Sequence, residues 1–295
     1  MMVTALLTCM LMLSCGAPQP EITTETVQRR DFKERDEFNQ TYQLASGARV
    51  EVSSIRGPVE ITNGDGATAE VQIIRTARTR ADLDYHKIEV RQTANGLVVR
   101  GEQEPEDVQR QNIQVNHHVI LKLPRRIDLT VSSVSGSLKV GDVDGETLVS
   151  SISGSGNIGN VGGKLQVSSI SGNLEVGNVG ADARVKSISG NLGLGQVNGS
   201  LEISSVSGGL HATLTSLSPQ GIHIRSVSGS VEIGFKSDIN ADFNAESVSG
   251  EVYLNVPNVT RENEERSSHV RARIGAGGTP ISISSVSGNI RLKQS

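Results

Sequence analysis

Aliphatic residues recur every nine positions between residues 134 and 214 of this chain. When that stretch is divided into nine-residue pieces from Val134 onward, the first residue of each piece is Val or Ile, and the third is Gly in every piece except that of Ala181. The fifth and seventh residues are mostly Leu, Val or Ile, as at Leu165 and Val167. These four positions share one parity and would lie on one face of a β-strand. The pattern therefore predicts a series of short strands, each with an aliphatic face.

An odd repeat length requires the chain to turn between successive strands. In a straight strand, a nine-residue period would point the aliphatic residues of the next piece toward solvent. We therefore expect corners at the eighth and ninth positions, which alternate between Ser-Ser pairs such as Ser150-Ser151 and Gly-polar pairs such as Gly159-Asn160. Gly suits such corners because it adopts positive φ readily. The third-position Gly is expected to point inward and to leave room for the opposite wall.

Two nonapeptide strands and two corners make a predicted coil of about 18 residues. A single coil buries too few side chains to fold alone, so neighbouring coils must stack through parallel strand pairing. Parallel crossovers are almost always right-handed, which predicts a right-handed parallel β-solenoid. Residues 126–295 form the predicted repeat body.

The repeat continues with longer spacings beyond residue 214. Ser-Val-Ser-Gly returns at residues 226–229, 247–250 and 285–288, and the gaps between successive motif glycines become 21, 21 and 38 residues. The last gap contains a charged insertion at 257–279, which we expect to cover a sheet edge or to reach a partner. The charged stretch at 291–293 is expected to discourage end-to-end association of an exposed terminal coil.

Residues 41–125 are more charged and are predicted to form an N-terminal β cap that includes the first coils. Residues 55–61 match the repeat once, with Ile, Gly, Val and Ile at its first, third, fifth and seventh positions. An Asn95-Gly96 pair between two alternating segments predicts a β-hairpin, and the polar residues 76–86 are suited to one short helix. A separate small β domain is the alternative for this region.

The N-terminus carries the features of an exported protein. Residues 1–14 form a short apolar run that is predicted to be a signal peptide, and it ends before Cys15. A Cys in this position resembles the lipidated residue of a bacterial lipoprotein signal, which implies that Cys15 carries a diacylglycerol as the first mature residue. Residues 15–40 then form a predicted polar, flexible tether. Because Cys9 and Cys15 are the only cysteines, the folded body is predicted to contain no disulfide.

Composition narrows the range of partners. The net charge of −4 gives no general attraction to nucleic acid, and no later segment has the roughly 18 consecutive apolar residues of a membrane span. The expected membrane contact is therefore the N-terminal lipid anchor alone. Aromatic residues make up 2% of the chain, so the core is expected to be small and aliphatic.

No residue pattern indicates catalysis, a metal site or a cofactor. Calcium-binding β-rolls place carboxylates at their corners, but Asp142 is the only corner carboxylate in the regular run. The adjacent pair His117-His118 would point to opposite faces of a strand and could not chelate one metal ion. Polysaccharide-cleaving solenoids need two carboxylates that meet in a groove. The outward carboxylates of this chain are scattered over different coils: Asp144, Glu146, Glu175, Asp182 and Glu202.

One repeated surface feature is a candidate contact face. The outward positions around each Ser-[Ile/Val]-Ser-Gly motif are small and polar, and stacked coils would align them as a flat ladder of hydroxyls and amides. In one interpretation, this face binds a glycan, a cell-wall polymer or a protein partner. In the other, its side chains only hydrogen-bond to one another and hold neighbouring coils together. The predicted face consists of Ser135, Ser137, Ser153, Ser155, Ser171, Asn173, Ser189 and Asn191.

The recurring pattern Ser-[Ile/Val]-Ser-Gly-x-[Leu/Val/Ile]-x-[Val/Ile/Leu] resembles the bacterial putative-adhesin domain, a β-solenoid family of unknown function. The resemblance extends over roughly residues 42–295. It implies a surface or envelope protein with no established catalytic residue. We therefore expect an all-β lipoprotein of the cell envelope, in the outer membrane or periplasm or at the cell surface, that acts as a non-enzymatic adhesin-like or scaffold module. The alternative is an enzyme that acts on envelope polysaccharide and uses the same fold.

Overall fold

Stacked parallel strands form the body of the protein, as the repeat predicts. The computed structural model describes residues 33–102, 113–261 and 268–294, and these residues form one compact unit. Apart from a 3₁₀ turn at Ala81–Asp84, their regular structure consists of strands. The strands are β1 (Glu34–Gln43), β2 (Ala48–Arg56), β3 (Val59–Asn63), β4 (Thr68–Ala77), β5 (Ile88–Thr93), β6 (Gly96–Gly101), β7 (Val115–Leu123), β8 (Ile127–Ser135), β9 (Leu138–Val140), β10 (Thr147–Ser153), β11 (Gly156–Ile158), β12 (Leu165–Ser171), β13 (Leu174–Val176), β14 (Ala183–Ser189), β15 (Leu192–Val197), β16 (Leu201–Ser207), β17 (Leu210–Leu214), β18 (Ile222–Ser228), β19 (Val231–Phe235), β20 (Ala241–Ser249), β21 (Val252–Asn255), β22 (Val259–Arg261), β23 (His269–Ile274), β24 (Thr279–Ser287) and β25 (Ile290–Gln294).

These strands form two sheets, which we call sheet A and sheet B. In sheet A the order of strands is β1-β4-β7-β3-β9-β11-β13-β15-β17-β19-β25-β21. In sheet B the order is β22-β23-β20-β24-β18-β16-β14-β12-β10-β8-β2-β6-β5. Each coil of the regular run therefore contributes one strand to each sheet.

Successive coils of the regular run are eighteen residues apart. In sheet B, Thr147 pairs with Leu165, and Leu165 pairs with Ala183. Sheet A repeats the same step, because Leu174 of β13 pairs with Leu192 of β15. The predicted all-β solenoid with coils of 18 residues is therefore confirmed.

Each coil contains one long and one short strand rather than two equal ones. β10 covers Thr147–Ser153 in sheet B, whereas β11 covers only Gly156–Ile158 in sheet A. Ser150 and Ser151 lie inside β10, so the predicted corner at the Ser-Ser pair is wrong. The chain turns after this strand instead, at Gly154, where φ is +130°.

The uninterrupted long strand changes which aliphatic residues are buried. Ile188 and Val206 follow the second serine position within β14 and β16, and they expose 50% and 47% of their surface. The prediction that every first-position aliphatic residue points inward is therefore wrong for this half of the repeat. The first-position residues that follow the Gly-polar pairs are buried and form a column of single parallel bridges: Val143, Val161, Val179 and Val197.

The glycines that follow the long strands form a column of stacked turns. Gly154, Gly172 and Gly190 have φ angles of +130°, +124° and +121°, which L-residues with a side chain rarely adopt. A Cβ atom on Gly172 would meet the backbone of Gly154 on the preceding coil. Glycine is thus required here because the backbone has a positive φ and because successive turns stack closely. The prediction that these glycines leave room for the opposite wall of the solenoid is wrong.

One hydrophobic core contains residues from both sheets. Sheet B contributes buried residues such as Val149, Val167 and Val185, and sheet A contributes residues such as Val140 and Val176. Most other buried side chains are also Val, Leu, Ile or Ala, although Phe235 and Phe243 are buried in the later coils. The expected aliphatic core is confirmed in the described part of the chain.

At the N-terminal end, the first coil of the chain lies inside the stack. β2 pairs with β8 and β3 pairs with β9, so this coil continues directly into the repeat body. β6 and β7 form the next coil outward, and the antiparallel strands β5, β4 and β1 extend the sheets beyond it. The pairing of Thr93 with Gly96 confirms the predicted hairpin. Of the short helix suggested for residues 76–86, only the 3₁₀ turn Ala81–Asp84 forms.

The last coil of the chain also lies inside the stack. β24 pairs with β18 on one side and β20 on the other, and β25 lies in the same way between β19 and β21. Residues 291–293 are therefore internal to sheet A, and the expectation of a charged terminal coil is wrong. Within the charged insertion 257–279, β22 and β23 pair antiparallel beyond β20, which confirms that the insertion covers a sheet edge.

The predicted signal peptide and lipidation site lie outside the described residues. Residues 1–14 and Cys15 precede residue 33, and β1 already begins at Glu34, within the predicted tether. Among the residues that the structure describes, no helix has the length and apolar character needed to cross a membrane.

Candidate functional site

Four serines of the predicted contact face form a column on sheet B. Ser153 of β10 pairs with Ser135 of β8 and with Ser171 of β12, and Ser171 pairs with Ser189 of β14. All four residues are exposed. Their hydroxyl groups form no hydrogen bond with another residue in the described ranges. We call these residues the serine column.

The other four predicted residues follow the turn glycines and form the second column, which consists of Ser137, Ser155, Asn173 and Asn191. They are exposed as well. The Oδ1 atom of Asn173 accepts a hydrogen bond from the backbone N–H of Asn191 at 3.0 Å, and the Oδ1 atom of Asn191 accepts one from Gly209 at 2.9 Å. These two amides therefore tie coils together. Because the glycine turn separates the two columns, the predicted face is not one flat strand surface.

A groove follows the solenoid axis along sheet B. It has a volume of about 780 Å³ and extends from Ser54 of β2 and Ser132 of β8 to Val227 of β18. Most of its lining residues are serines of successive long strands, and no carboxylate lines it. Seven neighbouring strands, β2 to β18, at a spacing of about 4.8 Å give the groove a length of about 29 Å.

Exposed aliphatic side chains form a row on neighbouring strands of sheet B. The three that lie nearest the middle of the sheet also line the groove. Each member exposes between 47% and 82% of its surface, although apolar side chains on strands of this length are normally buried. We call this set the aliphatic row: Ile188 on β14, Val206 on β16, Val227 on β18, Val286 on β24 and Val248 on β20.

Two cations replace serine in the lining of the groove. Lys186 of β14 and Arg225 of β18 both pair with Ser204 of the intervening strand β16, so their backbones are about 10 Å apart. Both side chains are exposed, and neither has a carboxylate within ion-pair distance in residues 33–102, 113–261 and 268–294. The groove therefore carries local positive charge on a chain whose net charge is −4.

The polar corner residues serve the stacking of coils. The Oδ1 atom of Asp142 accepts hydrogen bonds from the backbone N–H and the Nδ2 group of Asn160 at 2.8 and 3.0 Å, and its Oδ2 atom lies 3.3 Å from Arg125. Asn160 in turn accepts a hydrogen bond from the backbone N–H of Asn178 at 3.0 Å. The described residues contain no group of three side chains suited to hold a metal ion.

The scattered carboxylates have separate partners. Asp182 accepts hydrogen bonds from the backbone N–H and the hydroxyl of Ser200, both at 2.8 Å, and these bonds hold the pKa of the carboxyl below its usual value. Asp144 lies 3.4 Å from Arg125. Glu175 belongs to sheet A and Glu202 to sheet B. The structure brings none of these carboxylates, nor Glu146, into the groove.

His117 is held inside the N-terminal cap. It is buried on β7, whereas His118 on the opposite face is not, as the alternation of a strand predicts. The Nε2 atom of His117 lies 2.7 Å from the carbonyl oxygen of His86, and Nδ1 lies 3.1 Å from that of Arg56. Burial lowers the pKa of the His117 imidazole. This histidine connects the loop at His86 to the end of β2 at Arg56.

Sequence reasoning missed the aliphatic row and the groove. The odd repeat length already contained the signal, because a strand that runs straight through Ser-Ser must expose the next aliphatic residue. Lys186 and Arg225 are also visible in the sequence as replacements of the first serine. Their alignment beside the groove follows only from the strand register.

Comparison with known proteins identifies the family of the chain. No curated protein matches it. It is similar to a solved structure of a putative adhesin from Bacteroides fragilis, with 14% identity over 87% of this chain and 97% of that chain and a TM-score of 0.46. It is also similar to a putative adhesin from Parabacteroides distasonis (11% identity, 88% and 97% covered, TM-score 0.42) and to a putative lipid binding protein from the same species (10% identity, 87% and 96% covered, TM-score 0.30). The family described as Toastrack DUF4097 matches residues 48–293, from the first strand of the first coil to the last strand of the chain. The chain therefore belongs to the Toastrack DUF4097 family.

Proposed function

We propose that this protein is a non-enzymatic binding module of the cell envelope. Its anchor in this proposal is a lipid on Cys15, and residues 15–40 connect the lipid to the solenoid. The apolar run at 1–14 and the Cys that follows it support this attachment. The module is located at the outer membrane, in the periplasm or at the cell surface.

The exposed serine column is the observation that carries this function. Its four hydroxyl groups lie at the same level of four neighbouring strands, about 4.8 Å apart. They accept and donate hydrogen bonds but use none on neighbouring side chains in the described part of the chain. Such a column offers the same polar group at every coil, and this regularity suits an extended envelope glycan or an extended segment of an envelope protein.

The binding energy in this proposal is the sum of many weak contacts. One hydrogen bond contributes only about 0.5 to 1.5 kcal/mol in water, so a short fragment of the ligand would bind weakly. A polymer that contacts four coils together would bind more tightly, because the later contacts are made by an already attached chain. The parallel stack supplies the rigid spacing that such binding requires.

Capture of envelope material by purified protein tests the proposal. The protein is immobilised and incubated with envelope extract from its own host and with a glycan panel, and bound material is eluted and identified. We expect Ser171→Lys with Ser189→Lys to abolish capture, because two long cations would block the serine column. The matched control is Asn157→Lys with His211→Lys, which places the same groups on exposed positions of sheet A.

Retained capture by the serine-column variant would reject this column as the contact face. Loss of capture by both variants would also count against it, since the effect would then depend on added charge rather than on position. Release of shortened polymer by the wild-type protein would favour the enzymatic alternative.

A further inference from the structure

We propose that the groove of sheet B binds a single-chain anionic lipid, a molecule with one acyl chain and a carboxylate headgroup. This site goes beyond the envelope-binding function proposed above and does not depend on it. None of the eight residues of the predicted contact face lines the groove. The residues that define the lipid site are Lys186, Arg225 and the three members of the aliphatic row that line the groove.

The dimensions of the groove suit one extended chain. Its volume of about 780 Å³ lies within the range of roughly 300 to 1,000 Å³ that small-molecule sites occupy. Its length of about 29 Å exceeds the ~15 Å that one leaflet contributes to the hydrocarbon core of a bilayer. An acyl chain and its headgroup therefore fit along the groove without folding back.

The apolar part of the site is the aliphatic row. Its members occupy five neighbouring strands of sheet B, so their exposed side chains form one continuous stripe along the axis. Ile188, Val206 and Val227 also line the groove. Covering these three side chains with an acyl chain removes apolar surface from water on both molecules, which is the main driving force for such binding.

The polar part of the site selects negative charge. Lys186 and Arg225 lie on either side of Ser204 and have no carboxylate partner in the described ranges. An anionic headgroup placed between them forms charge-assisted hydrogen bonds to both cations, and the apolar surroundings strengthen that attraction. Serine occupies the same level on other strands, as at Ser150 and Ser168, so the two cations mark where the headgroup lies.

The same charges argue against a second copy of this chain as the occupant. A two-fold dimer brings the same surface of both subunits together. A two-fold axis that passes near Lys186 and Arg225 would bring the cations of one copy against those of the other beside an apolar surface, where repulsion is strong. An acidic peptide would satisfy the cations, but it would not need the unbroken aliphatic stripe.

Binding of cis-parinaric acid, a fluorescent long-chain fatty acid, tests the site. The purified full chain is titrated with the probe below the concentration at which micelles form. We expect saturable binding that unlabelled palmitate displaces and that acetate, inorganic phosphate and an acidic peptide do not displace. The methyl ester of the probe lacks the charge and is expected to bind roughly tenfold more weakly.

Two sets of variants separate the headgroup from the chain. Lys186→Ser with Arg225→Ser installs the residue that neighbouring strands already have at this level, so we expect the fold to be retained. This variant is expected to bind cis-parinaric acid roughly tenfold or more weakly, and to bind the methyl ester with unchanged affinity. Val206→Ser with Val227→Ser is expected to weaken both acid and ester. The charge-matched control Lys164→Ser with Lys236→Ser removes two exposed cations outside the groove and is expected to bind like the wild type.

Four results would overturn the proposal. The first is that the probe shows no saturable binding, and the second is that the Lys186→Ser/Arg225→Ser variant and the control bind it with equal affinity. The third is that acetate or phosphate displaces the probe. The fourth is that the protein binds phosphatidylglycerol vesicles but not the dispersed probe. Lysine substitution of Ser171 and Ser189 leaves the groove lining intact. Loss of polymer capture with retained probe binding would therefore separate the two proposals.

Discussion

Gly172 stacks on Gly154 so closely that a Cβ atom at Gly172 would lie 1.8 Å from the backbone oxygen of Gly154. The same relationship links Gly190 to Gly172 and Gly208 to Gly190, at 2.0 Å in both cases. Each glycine turn of this column therefore leaves no room for a side chain on the corresponding glycine of the next coil. Positive φ angles at the same residues add a second, independent requirement for glycine.

Replacement of Gly172 by Val is expected to lower the free energy of unfolding by about 2 to 6 kcal/mol, because backbone strain and overpacking each contribute about 1 to 3 kcal/mol. Urea denaturation followed by circular dichroism measures the change. Gly66→Ala is the control for strain alone, since Gly66 has a φ of +80° but open space around its Cβ position. Equal effects at Gly172 and Gly66 would show that stacking of the turns contributes nothing.

Asp182 is expected to make the stability of the regular coils sensitive to acid. The hydrogen bonds from Ser200 lower the pKa of the folded carboxyl, so the folded state binds its proton less readily than the unfolded state does. The stabilisation is present above the unfolded pKa of about 3.9 and is lost as pH falls through the lower folded pKa. We expect the difference in Tm between the wild type and Asp182→Asn to shrink on acidification below about pH 4. A constant difference across this range would contradict the prediction.

His117 is expected to destabilise the N-terminal cap as pH falls through about 6.5. Burial lowers the pKa of the folded imidazole, the hydrogen bonds to the carbonyls of His86 and Arg56 oppose this decrease only in part, and charge repulsion from His86 and Arg75 adds to it. The unfolded state therefore binds more protons than the folded state below the unfolded pKa of about 6.5, and stability rises with pH in that window. His117→Gln removes this titration and is expected to flatten the dependence of Tm on pH between neutrality and mild acid. His223→Gln on the exposed face of β18 is the control, and an unchanged slope in His117→Gln would reject the assignment.

Cys15→Ser is expected to release the protein from the membrane. The Cys15 thiol is the group expected to accept a diacylglycerol, because it directly follows the predicted signal peptide, and the hydroxyl of serine does not replace it. Fractionation of bacterial cells that produce each form measures the effect, with the wild type expected in the membrane fraction and the variant in the soluble envelope fraction. Cys9→Ser is the matched control and is expected to fractionate like the wild type. Continued membrane association of Cys15→Ser would count against lipidation.

The stacking of the coils is readable from the sequence because it is a local property repeated many times. A period of nine with aliphatic residues at alternate positions specifies Val149, Val167 and Val185 as neighbours on one face, and the structure confirms it. The sequence alone does not decide where the chain turns, because both Ser150-Ser151 and Ser153-Gly154 have the composition of a corner. Backbone pairing of the seven-residue strand decides between them, because a corner at Ser-Ser would break ladder hydrogen bonds that the long strand keeps.

The order of the last coils cannot be read from the sequence. The motifs at 226–229, 247–250 and 285–288 are almost identical, so each fits beside any other in a parallel stack. The antiparallel pair β22 and β23 decides the order, because it occupies the far side of β20 and leaves the inner side for β24. The groove cannot be predicted from the sequence for a related reason. Its shape and the alignment of Lys186 with Arg225 depend on strand pairing between residues that are eighteen or more positions apart.

The internal position of β24 and β25 makes closure of the stack depend on a segment that follows its neighbours in the sequence. Until residues 279–294 fold into place, β18 and β20 have no common neighbour, and the stack cannot close between them. A growing solenoid that added coils strictly in order would instead fold progressively from its N-terminus. The core of this protein is thus complete only after residues 279–294 have inserted between coils that precede them in the sequence.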